Sequence, residues 1–162
     1  MMPESSGLQQ RAFQRAHDLL MAGWNCSQSI LLAMQELLDM PDRGVLKAAT
    51  GFGGGIGNVG SLCGALAGGI MSLGLLYGRA EISEFAQKEK TYLVCARWYD
   101  RFVEAMGGSN CREILGVDLR DSAARQAYWG NAQNRERCAS RTAGTAARLL
   151  MALVEETGTV EG

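Results

Sequence analysis

Residues 61–78 read SLCGALAGGIMSLGLLYG, without one charged side chain. The length touches the span of about 18 apolar residues at which a membrane helix is considered. Five glycines weaken that case, and no other segment reads as lipid-facing. A helix apolar on every side is more simply the buried centre of a globular fold. Gly60, Gly64 and Gly68 recur at four-residue spacing, which lets neighbouring helices pack close. The stretch therefore predicts an all-α protein arranged around one Gly/Ala-rich helix.

The flanking chain supplies amphipathic helices. Leu8, Ala12, Phe13, Ala16, Leu19, Leu20 and Trp24 keep helical spacing, and Gly23 and Trp24 end that helix. Asn25-Cys26-Ser27-Gln28 reads as a capping box opening a second helix, which runs to about Met40 and stops at Pro41. Asp42 caps a short third helix with Val45, Leu46 and Ala49 inward. Residues 81–106 predict a long helix with the stripe Phe85, Tyr92, Cys95, Tyr99, Phe102 and Met106, closed by Gly107-Gly108. Asn110 and Glu113 stand in capping-box register for a short helix broken by Gly116. Asp118 or Asp121 caps another, to about Trp129. Residues 130–134 read as a loop, and 137–155 as the last helix, with Ala143, Ala146, Leu150 and Leu153 inward. No β pattern or internal repeat stands out. The expectation is a single-domain bundle of about six to eight helices over residues 8–156, with flexible ends at 1–7 and 157–162.

The 162 residues are 47% hydrophobic and 20% charged, with a net charge of −1. That is ordinary globular composition. Near-neutral charge argues against nucleic acid or an anionic membrane as partner. Residues 1–10 contain no apolar core of a secretory signal. The expected compartment is the reducing cytoplasm, where structural disulfides are rare. The odd count of five cysteines agrees.

Those cysteines, Cys26, Cys63, Cys95, Cys111 and Cys138, are scattered, with no C-x-x-C and no C-x-x-C-H. Cys26 follows Asn25, Cys111 follows Asn110, and Cys63 ends a glycine run. Each is placed in a first helical turn, where free N–H groups favour thiolate, the form that reacts or binds metal. Cys138 is expected near a helix start among Arg135, Arg137 and Arg141, whose guanidinium groups either stabilise an anion or form a solvated face. Cys95 lies mid-helix on an apolar stripe and reads as a small core hydrophobe. The spacings match no zinc-ribbon or ferredoxin pattern. Six of residues 51–60 are glycine. Gly55 to Gly60 match G-x-G-x-x-G formally, but no strand precedes them, so a dinucleotide site is set aside. Two readings stay open: a loop that permits close packing, or a nest of N–H groups around an anion. His17, the single histidine, leaves no His-dependent triad.

The ordered set of Cys26 after Asn25, the Gly-Phe-Gly-Gly-Gly run at 51–55, Cys63-Gly64-Ala65-Leu66-Ala67-Gly68, Asn110-Cys111-Arg112-Glu113-Ile114-Leu115-Gly116 and Cys138 resembles the C-GCAxxG-C-C family. Its members are described as redox-active proteins with four characteristic cysteines. The family looks related to the cluster-binding part of split-Soret cytochrome c. The resemblance implies that Cys26, Cys63, Cys111 and Cys138 ligate an iron–sulfur cluster, 2Fe–2S or 4Fe–4S, and that the protein transfers electrons. It also implies that the Gly53, Gly54, Gly55 and Gly57 backbone shields that cluster, and that Cys95 stands apart. Lacking C-x-x-C-H, the chain is not expected to carry covalent haem. The alternatives are a metal-free thiol–disulfide oxidoreductase, a structural zinc site with four cysteine ligands, or an interaction module with inert cysteines. A homodimer is one expectation. The redox partner is unknown; an acidic one would suit seven arginines against four acids in residues 112–148.

Overall fold

The computed structural model of the chain describes residues 6–158. The flexible ends expected at 1–7 and 157–162 fall mostly outside them. Within them, Ser6 caps the first helix and Thr157 closes the last.

The described residues form α1 (Gly7–Met21), α2 (Cys26–Leu37), α3 (Arg43–Ala48) with a 3-10 turn (Ala49–Phe52), and α4 (Gly64–Tyr77). Then come α5 (Phe85–Met106), α6 (Cys111–Leu115), α7 (Ser122–Gly130), α8 (Ala132–Arg137), a π-helical turn (Cys138–Gly144) and α9 (Thr145–Thr157). Helical backbone continues through the last two junctions. α8, the π turn and α9 are therefore one rod, and the described chain has eight. There is no strand among the described residues, only one antiparallel bridge between Leu62 and Asn110.

α4 is the central helix because Gly64, Ala65, Ala67, Gly68 and Gly69 leave its first half little more than backbone and methyl on the sides its neighbours approach. A Cβ on Gly68 would strike the carbonyl oxygen of Ser27, so α2 lies directly against it. A Cβ on Gly69 would strike the Trp98 indole, so α5 covers a second side. Trp98 fixes that contact by donating its Nε1–H to the Leu66 carbonyl at 3.1 Å. Gly144 leaves room for the Phe13 ring, whose nearest atom would be 2.9 Å from an added Cβ. That seats α1 on the π turn. The core is continuous from Ala12 through Leu66 and Trp98 to Leu150 and Val154.

Several local expectations shift. Residues 64–69 are buried, but Ile70, Met71, Leu75 and Leu76 are only half-buried, so α4 emerges toward its C-terminus. Gly60 precedes α4, and a Cβ there would fall 3.1 Å from Arg112 Cβ, so this glycine lets α6 approach closely. α2 stops at Leu37, ahead of Asp39, which takes a left-handed φ of 52°. Of the second-helix capping box only half forms. Asn25 accepts from Gln28 N at 3.0 Å, while the Gln28 amide reaches Thr50 instead. Asp42 caps α3 as expected, with Ala49 buried and Val45 and Leu46 half-buried. On α5 the buried face is Val94, Trp98, Phe102 and Met106, and Phe85, Tyr92 and Tyr99 point to solvent. Aromatics at seven-residue spacing mask this four-residue stripe in the sequence. Asp121, not Asp118, caps α7. The expected loop at 130–134 is a one-residue hinge, because Asn131 caps α8 at once.

Candidate functional site

Four short devices bring four cysteines to one place. Asn25 turns the chain so that Cys26 is the first residue of α2. The Leu62–Asn110 bridge is extended by Cys63 N to Ser109 O and Cys111 N to Ser61 O, both 2.8 Å. That pairing sets Cys63, at the mouth of α4, beside Cys111, the first residue of α6. Asn110 and Glu113 complete the capping box that starts α6. Cys138 opens the π turn. It is not at a helix start, since helical backbone precedes it. The wider π turn faces both Cys138 and Thr142 into the same space, a placement often met at functional sites.

That space is a cavity of about 460 Å³ lined by all four of Cys26, Cys63, Cys111 and Cys138. Gly53, Gly54 and Gly57 line it too; Gly55 does not. An added Cβ on Gly55 would fall 2.5 Å from Ser61 O and 2.7 Å from Cys111 Cβ, so this glycine forms the wall behind Cys111. Cys95 stays away, half-buried on α5 and packed against the core edge. Among the described residues, no three His, Cys, Asp or Glu side chains stand close enough to hold a single metal ion.

The glycine run is neither a plain packing loop nor an open nest. Gly54, Gly55, Ile56, Gly57 and Asn58 all have φ between +56° and +69°, a full left-handed turn. Such a turn costs about 1–2 kcal/mol for each residue with a Cβ, and Ile56 is β-branched. Most of its amides bond its own carbonyls, including Gly57 N to Gly51 O at 2.9 Å and Ser61 N to Gly55 O at 3.1 Å. The Gly54 N–H is directed at the Cys26 sulfur.

The four thiols are electrostatically unequal. The Cys63 thiol donates to Cys26, and together with the Gly54, Ser27 and Cys26 amides it outweighs burial and holds Cys26 at about 7. Its bond to Cys26, burial and the charge of Cys26 push Cys63 well up. Burial, then the Cys26 charge, pushes Cys111 up to about 12. Burial also raises Cys138, against the Thr142 hydroxyl. The cavity can thus hold one thiolate with a thiol in contact, or four thiolates once a cation compensates them.

Sequence reasoning missed the walls. Trp24, Thr50, Asn58, Ile114, Leu115, Trp129 and Thr142 line the cavity with Arg135. Thr50 and Asn58 adjoin or lie within the glycine run, and Ile114 and Leu115 lie in the Asn110–Gly116 stretch. Trp24 stands next to Asn25 and Thr142 one turn beyond Cys138; Trp129 had no neighbouring signal. Arg141 and Arg125 donate to the carbonyls of Met106 and Leu119, and Arg112 pairs with Asp118. Much of the arginine surplus is therefore used internally.

A family model described as "Putative redox-active protein (C_GCAxxG_C_C)" matches residues 24–153. The chain belongs to this family. Its core stands here as Cys63-Gly64-Ala65-Leu66-Ala67-Gly68, with cysteine ahead of glycine. A protein of Archaeoglobus fulgidus described as uncharacterized is 32% identical over 112 residues, 65% of this chain and 74% of the relative. No solved structure matches the chain. Among the described residues no helix is long and apolar enough to cross a membrane.

Proposed function

We propose that this family member is a cytoplasmic electron-transfer protein whose Cys26, Cys63, Cys111 and Cys138 hold an iron–sulfur cluster. The observation that carries it is the meeting of four thiols, from four distant segments, around one cavity while the fifth stays outside. The donor set suits iron–sulfur chemistry, which uses cysteine thiolates. Thiolates about 2.3 Å from one zinc ion must crowd together. Cys26 and Cys63 are in contact while Cys111 and Cys138 stand apart across the same cavity, an arrangement that suits a multinuclear group better than a structural zinc ion. Such a group, when bound, supplies reversible one-electron chemistry. Gly54 donates its N–H to the Cys26 sulfur, Gly55 backs Cys111, and Trp24, Trp129 and Ile114 limit water.

The Cys26–Cys63 contact favours a second reading, a metal-free dithiol in which the Cys26 thiolate attacks a substrate disulfide and releases one substrate thiol, after which Cys63 displaces the other and closes a Cys26–Cys63 disulfide. Cys111 and Cys138 would then have no role, which is why it ranks second. Anaerobically purified protein should contain iron and acid-labile sulfide and give an EPR signal that changes on reduction with dithionite. Metal-free protein that loses two thiols, from Cys26 and Cys63, on mild oxidation would replace the first reading by the second.

A further inference from the structure

We propose that the outward face of α5 is a self-association surface, on which two copies of this chain pair through antiparallel α5 helices. α5 turns Val94, Trp98, Phe102 and Met106 inward and leaves a second apolar stripe in solvent. Phe85, Tyr92 and Leu93 are each 65% exposed, Tyr99 43%, and Ile82, three residues before the helix, 81%. With aromatic side chains of about 150–250 Å², these five expose roughly 600 Å². That is the upper limit of the largest apolar patch on an ordinary monomer, about 300–600 Å². A two-fold contact covering it on both copies buries roughly 1,200 Å², the lower bound of specific interfaces.

The stripe has the pattern of a helix seam. Phe85, Glu89, Tyr92, Ala96, Tyr99 and Val103 alternate spacings of four and three, as in paired helices. The same residues choose the direction. Parallel helices would stack Glu89 on Glu89, and Tyr92 on Tyr92, across the axis. In one antiparallel register two of the three aromatic side chains meet a smaller one: Phe85 opposite the second copy's Val103, and Tyr92 opposite the second copy's Ala96. Glu89 then meets the second copy's Tyr99, whose phenol can donate to the carboxylate. Leu93 packs on the second copy's Leu93 along one flank, and the half-buried Cys95 meets the second copy's Cys95 along the other.

This proposal stands apart from the cysteine cavity and does not depend on any cluster. Light scattering should give twice the chain mass of 17.4 kDa. Tyr92→Lys with Leu93→Lys should return it to a single chain mass with an unchanged circular dichroism spectrum, since both side chains are exposed. Mild oxidation of the unsubstituted dimer with diamide should trap a disulfide-linked dimer that disappears in Cys95→Ser. A monomer at high micromolar concentration overturns the proposal, as does a dimer whose mass ignores the double substitution. A dimer that dissociates on substitution but never cross-links through Cys95 overturns the antiparallel register. Should the double variant misfold, the Cys95 cross-link alone decides.

Discussion

Cys26 differs from its neighbours by a few hydrogen bonds. The Cys63 thiol and the Gly54 amide point at its sulfur, while Cys111 and Cys138 have mainly burial around them. In cluster-free, reduced protein Cys26 should therefore be alkylated first by iodoacetamide. Its rate should climb as pH rises through about 7, with Cys63, Cys111 and Cys138 labelled far more slowly at that pH. Peptide mass spectrometry after timed quenching reads this directly. Equal labelling of all four would contradict the hydrogen-bonding scheme. Ile56 shows the other side of the residue scale: an otherwise unfavourable backbone is held because Gly54, Gly55 and Gly57 around it make the turn tolerable.

Elements are positioned here by what is missing from glycines and by a few cross-helix bonds. Gly68→Ala should destabilise the fold by about 1–3 kcal/mol, because its methyl would enter the α2 backbone. Gly74→Ala, in the same helix with nothing within 4 Å of an added Cβ, should stabilise by about 0.5–1 kcal/mol. Urea unfolding of the two variants tests the contrast, and equal effects would mean that α2 does not lie on Gly68. His17 joins α1 to α8 through Glu136 at 2.9 Å and also bonds Asp18 at 3.0 Å. The Asp18 bond, helped by Glu136 and opposed by burial, raises its pKa above the ordinary 6.5. A raised folded value means that the bond stabilises fully below pH 6.5 and fades as pH rises through the folded value. His17→Gln should thus lower the melting temperature at about pH 6 and matter progressively less in alkaline buffer.

The same scale shows what could be read beforehand. The apolar run at 61–78 and the caps Asn25, Asp42 and Asn110 are local signals, and they locate α4, α2, α3 and α6. The face of α5 is misread from sequence because Phe85, Tyr92 and Tyr99 form a regular apolar stripe of their own, and periodicity cannot say which of two stripes is buried. The Leu62–Asn110 bridge is a long-range contact that no local pattern announces; the glycine run permits the left-handed turn without specifying it, and no sequence signal marks the π turn. Capping context and family resemblance single out four cysteines; their common cavity depends on that bridge.

At the scale of the whole molecule, a helical bundle of this size holds its redox-family signature at one end of its central helix. α2, α4, α6 and the α8–α9 rod each deliver one cysteine, so the site exists only when the bundle is assembled. Removing one sulfur should accordingly affect the whole site, whereas Cys95, outside it, should be silent. The most direct measurement is iron and acid-labile sulfide in anaerobically purified protein and in the five single Cys→Ser variants. Iron with matching sulfide is expected in the unsubstituted protein and in Cys95→Ser, with a marked loss of both in Cys26→Ser, Cys63→Ser, Cys111→Ser and Cys138→Ser. Iron-free, colourless unsubstituted protein with all five thiols titratable, or iron that is lost with Cys95, would contradict a four-cysteine cluster site.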